Sequence, residues 1–97
     1  MKPTVKLGFS AEQQEWYEKA CGKLSAERLS NLLFDLTDIH SPTGATADVS
    51  QFMVDYLNSL GVKTQYHALN DISGNVLGQL SGSGGGADLL LYSPIDT

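Results

Sequence analysis

Cysteine is almost absent from this 97-residue chain: Cys21 stands alone, so no internal disulfide can staple the fold and no CxxC redox or metal spacing exists. Its expected role is that of a semi-buried small apolar residue at a helix end. Basic residues are also scarce, 6 against 11 acidic ones for a net charge of −5, and no basic cluster is available to neutralise phosphates, which argues against nucleic acid as a partner. No apolar run approaches the roughly 20 residues that span a bilayer, and the opening MKPTVKLGFS lacks the apolar core of a signal peptide. No membrane association and a cytoplasmic location are therefore expected.

Apolar residues themselves are not lacking. At 41% hydrophobic and 18% charged, the composition is that of a soluble globular protein rather than a disordered one. A chain of this length is at most one small domain and buries roughly 60 to 70% of its unfolded surface.

Ser10-Ala11-Glu12-Gln13 has the form of a capping box, with the Ser10 hydroxyl and the Gln13 side chain satisfying orphan amides at a helix start. The helix it opens is expected to run to about Cys21 and close on Gly22. Ser25-Ala26-Glu27 opens a second helix, in which Leu29, Leu32, Leu33, Leu36 and Ile39 share one face at i, i+3, i+4, i+7 and i+10. Pro42 and Gly44 in HSPTGAT break that pattern. A third helix is predicted from about Ala45 to Leu60, with Val49, Phe52, Met53, Tyr56, Leu57 and Leu60 on its core face and Gly61 as its stop.

VKTQYHAL then alternates, placing Val62, Thr64, Tyr66 and Ala68 on one side of a half-exposed strand. Asn70 to Gly74 is turn chemistry, and NVLGQL reads as a second strand whose Gly78 marks a bulge or a close backbone approach. SGSGGG, Ser81 to Gly86, precedes no Lys-Ser or Lys-Thr pair and no helix, so it reads as a connection between strands rather than a phosphate loop. An anion-binding module built on that loop accordingly has the weakest support. ADLLLYSPIDT reads as a buried strand over Leu89, Leu90, Leu91 and Tyr92, and an acidic residue just past such a strand, Asp96, is where α/β proteins usually keep their chemistry. The fold class expected is α/β, with helices packed on a mixed sheet.

His40 and His67 are the only imidazoles and share no metal-ligand spacing. Each reads as a surface or cap residue. No serine sits in a Gly-x-Ser-x-Gly elbow, so a nucleophilic hydrolase is poorly supported.

The order of these pieces, LTDIHSPTGAT, YLNSLGV, SGNVLGQL and an apolar strand running into IDT, resembles the amino-terminal part of the zinc-dependent aminoacylase and carboxypeptidase family, which includes acetylornithine deacetylase and succinyl-diaminopimelate desuccinylase. The resemblance covers about Leu29 to Thr97. It implies a fragment of a zinc-exopeptidase-like catalytic domain, with residues 1–24 as an N-terminal helical extension and 25–97 as the start of the catalytic α/β domain.

In that family the corresponding strand ends in His-x-Asp-Thr: the His binds the first zinc and the Asp orients its ring, a support that fixes the imidazole and raises its basicity. Asp96 and Thr97 match the last two positions, and Pro94, which has no side-chain donor, occupies the position of the first zinc ligand. The family's other ligands and its general-base glutamate come from later segments, to which nothing in this sequence corresponds. The resemblance thus implies zinc or another divalent metal for a full-length enzyme and none for these 97 residues. It also implies hydrolysis of an amide bond in N-acyl amino acids or small peptides, and a homodimer formed through a smaller inserted domain. The lack of cover for the last strand leads us to expect the front part of a larger domain, inactive by itself. The alternative expectation is a stand-alone, non-catalytic α/β module that binds a partner through the edge of strand 87–92.

Overall fold

The computed structural model describes residues 8–96; Met1 to Leu7 and Thr97, and with it the last position of the IDT stretch, lie outside the described residues. Three helices are followed by two strands, a mixed α and β composition. The chain divides into two compact units, one through Asp35 and one from Leu36 onward.

In the first unit, α1 (Ala11–Gly22) starts where the capping box places it. The Ser10 hydroxyl accepts from the Gln13 amide at 3.2 Å, and the Gln13 side chain accepts from the Ser10 amide at 2.9 Å. Glu12 in the first turn and Lys19 in the last suit the helix dipole. Cys21 is the buried residue of this helix. Phe9 packs on Tyr17 with ring centroids 5.2 Å apart. The helix α2 (Ala26–Thr37), whose last two residues fall in the second unit, is capped by Ser25, whose hydroxyl accepts from the Arg28 amide at 3.2 Å. Its predicted leucine stripe buries no residue fully: Leu32 and Leu36 are half-buried, while Leu29 and Leu33 are exposed.

The second unit is built on α3 (Ala47–Ser59), which packs against both strands of the hairpin. Val49, Ser50 and Val54 are buried, with Phe52, Met53, Tyr56 and Leu57 half-buried around them. Leu60, predicted on the core face, is exposed because the helix has ended: the Leu60 and Gly61 amides donate to Leu57 and Asn58, and Gly61 turns the chain at φ +84°. Ser50 takes an inward position that no apolar pattern predicts, because its hydroxyl donates to the Gly74 carbonyl at 2.8 Å.

The strands β1 (Lys63–Ala68) and β2 (Gly74–Gln79) pair antiparallel in unbroken register from Lys63 opposite Gln79 to Ala68 opposite Gly74. Thr64, Tyr66 and Val76 are half-buried, whereas Lys63, Gln65, His67, Asn75, Leu77 and Gln79 are exposed, so one face of the hairpin is covered and the other is open. Gly78 marks a close approach rather than a bulge: a Cβ there would lie 3.2 Å from Val62 Cγ1 and 3.6 Å from Leu57 Cδ1. At Gly74 the Tyr66 ring occupies the space a side chain would need.

The expected third strand does not form. Residues 87–92 belong to no sheet among the described residues, and Leu89, Leu90, Leu91 and Tyr92 are 82 to 87% exposed. The described sheet is therefore antiparallel and two-stranded rather than mixed. The reason lies in the run itself. Three consecutive leucines project to both faces of a strand and need a layer on each, and α3 supplies one layer only. Ser81 to Gly86, expected to connect two strands, is followed by no strand among the described residues; it turns at Gly84 and Gly85 with φ near +86°.

Candidate functional site

Pro42-Thr43-Gly44-Ala45 forms a tight turn, closed by the Ala45 amide donating to the Pro42 carbonyl at 2.9 Å. Gly44, at φ +86°, takes the third position, where the type II geometry needs a positive φ. The turn presents Thr43 at its corner, and the Thr43 hydroxyl donates to Asp96 Oδ2 at 2.5 Å. The start of α3 is tied in turn to the hairpin: the Ala47 amide donates to Ile72 O at 3.0 Å, and the Thr46 hydroxyl to Gly74 O at 3.4 Å.

The hairpin loop is held by its own Asx turn, with Asn70 Oδ1 accepting from the Ile72 amide at 2.9 Å and the Leu69 amide donating to Ser73 O at 2.9 Å. These three pieces, the turn before α3, the hairpin loop and the segment from Tyr92 to Asp96, enclose an open cleft of about 370 Å³. Pro94, Ile95 and Asp96 line one wall, and Thr43, Thr46 and Ser73 are among the residues facing them. Ser73 is 5% exposed, and its hydroxyl has no hydrogen-bond partner among the described residues.

Asp96, the candidate catalytic residue, thus stands in the cleft with one carboxylate oxygen engaged by Thr43. Pro94 lies beside it in the same wall. Neither histidine lines the cleft. His40 is exposed just before the turn, and His67 sits on the open face of β1, with Nε2 3.1 Å from Gln65 Oε1.

Asp96 is the single Asp, Glu, His or Cys among the cleft-lining residues, and no group of three or more such side chains that could hold a metal ion occurs among the described residues. This donor set does not fit a zinc centre, which takes three or four nitrogen, sulfur or carboxylate ligands. No described helix is long and apolar enough to cross a membrane. What the arrangement can do is narrower: one carboxylate oxygen of Asp96 accepts the Thr43 hydroxyl in the cleft.

Sequence reasoning singled out Asp96 but not its partner. Thr43 carries a faint signal, a hydroxyl between Pro42 and Gly44 in a turn, but nothing local connects it to Asp96. Comparison with known proteins returns no match among family models, curated proteins or solved structures.

Proposed function

We propose that this chain is the amino-terminal segment of a metallohydrolase resembling the zinc-dependent aminoacylases and carboxypeptidases, an enzyme cleaving amide bonds in N-acyl amino acids or small peptides. The 97 residues alone are catalytically inactive in this reading. One observation supports it best: two of the stretches that carry the resemblance, LTDIHSPTGAT and the described part of IDT, meet in one cleft, where Thr43 donates to Asp96. A carboxylate held through one oxygen is suited to orient a neighbouring imidazole with the other. Here the position two residues earlier is Pro94, so the orienting carboxylate is present and the ligand it would orient is not. The remaining ligands, the general base and any dimerisation segment would have to come from polypeptide to which no residue of this sequence corresponds.

The test is whether the gene encodes polypeptide beyond Thr97 and, where it does, whether the whole product binds divalent metal and hydrolyses N-acyl amino acids. Metal at one or two equivalents with amide hydrolysis supports the reading; a product with neither overturns it. Replacing Pro94 by His in that product is expected to tighten metal binding.

A second reading is favoured by a different observation, the exposure of Leu89 to Tyr92. A non-catalytic α/β module binds a partner through this segment in that reading, since an exposed apolar segment in no sheet can add to a partner's sheet edge.

A further inference from the structure

From Ile72 to Ile95 the sequence carries one charged residue, Asp88, although the whole chain has a net charge of −5. This stretch contains one open strand edge and one exposed apolar segment. The strand β2 is hydrogen-bonded on one side only among the described residues, to β1, and its other edge has no Lys, no Pro and no bulge, the usual protections of a free edge. Residues 87–92 are the second feature, apolar apart from Asp88 and in no ladder among the described residues.

We infer that the stretch from β2 to Tyr92 is a self-association surface whose partner is a second copy of this chain. The inference rests on the reading of 87–92 as a binding segment and names its partner. Each copy offers both what is needed and what is in excess: an open, uncharged strand edge, and an exposed apolar segment that belongs to no sheet among the described residues. A two-fold arrangement satisfies both reciprocally. The single charge of the stretch, Asp88, gives little basis for selecting a strongly charged partner, and two copies meeting here bring together one acidic group each rather than their whole net charge.

Area favours the same conclusion. Leu89, Leu90, Leu91 and Tyr92 are at least 82% exposed, and four such side chains present on the order of 500 Å² of surface, at the upper end of what monomers leave open. Leu77 and Leu80, 49% and 77% exposed, add to it. Two copies facing each other through these residues reach about 1,000 Å² in total, the lower bound for a specific pair. The distal end of the segment is held to its own unit by the Thr43–Asp96 hydrogen bond, and the glycine connection, with Gly84 and Gly85 at positive φ, sets its near end.

Light scattering after gel filtration of the 97-residue chain, over a hundred-fold concentration range, tests this together with hydrogen exchange of the 87–92 amides. The expected result is a mass that rises from one chain to two, with exchange at 87–92 slowing in step. Leu90→Asp, at a site 83% exposed and so not needed for folding, is expected to raise the concentration of half-association at least ten-fold, with unchanged helix content. A monomer with fast exchange at 87–92 overturns self-association and leaves the segment open to a different partner. A monomer with slow exchange there overturns both ideas, because the segment then docks on its own sheet. A mass that grows without limit overturns the closed pair, and association unaltered by Leu90→Asp overturns the assignment to this surface.

Discussion

The Thr43 hydroxyl donates to the Asp96 carboxylate at 2.5 Å across 53 positions of sequence, joining the turn before α3 to the segment that follows the leucine run. Both groups are exposed, so the bond competes with water and stabilises modestly, by about 1 kcal/mol. Thr43→Val removes the donor at nearly constant volume. It is expected to lower the urea midpoint slightly and to speed amide exchange at residues 95 and 96, whereas Thr43→Ser keeps both near the parent values. Equal exchange in the Val variant would show that the segment is held by something other than this hydroxyl.

Gly74 lies opposite Ala68 in the ladder, with the Tyr66 ring filling the space above its Cα. A methyl group there collides with ring carbons, so Gly74→Ala is expected to cost about 1–3 kcal/mol through displaced packing. The double variant Gly74→Ala with Tyr66→Leu should recover part of that loss, since the smaller side chain yields room. Additive costs in a denaturant-based double-mutant cycle would remove the steric explanation.

Two buried serines give opposite expectations. Ser50 is fully buried and donates to the Gly74 carbonyl at 2.8 Å, whereas the Ser73 hydroxyl has no partner among the described residues. Ser50→Ala is expected to cost about 1–2 kcal/mol in the lost buried hydrogen bond. Ser73→Ala removes a desolvated, unpaired hydroxyl and is expected to be neutral or slightly stabilising. Thermal melts of the two variants in one buffer distinguish them, and a larger loss at Ser73 than at Ser50 would contradict the assignment.

Legibility followed the range of the interactions. The Ser10–Gln13 box, the Gly61 stop and the alternation of Thr64 and Tyr66 are set within a few residues, and the structure places each where local chemistry puts it. The leucine run misled because hydrophobicity states a demand for cover without saying whether cover exists. Leu89 to Leu91 have the composition of an inner strand and lie exposed. Ser50 was invisible for the converse reason: a polar residue goes inward when a distant carbonyl, here Gly74, meets its hydroxyl. For the site, Asp96 was readable from its place beyond an apolar run, but Thr43 was not, since their pairing depends on how the chain returns to the turn before α3.

In the first unit, burial pushes the Tyr17 phenol above its ordinary value of 10.0, and the neighbouring Cys21 thiol adds to the shift. A raised value means that between the unfolded and folded pKa the native state holds more protons than the unfolded one, so unfolding becomes easier as pH rises. Any stability this group contributes is therefore fully present below pH about 10 and is lost as pH climbs through the folded pKa. Phenolate absorbance should show one of the four tyrosines titrating late, and Tyr17→Phe should remove that late step while flattening the alkaline fall in melting temperature. Cys21→Ser keeps a small polar group beside the ring and is expected to move the late step less than the Phe variant does. A late step that survives Tyr17→Phe would assign it to another tyrosine and leave the alkaline limb without this cause.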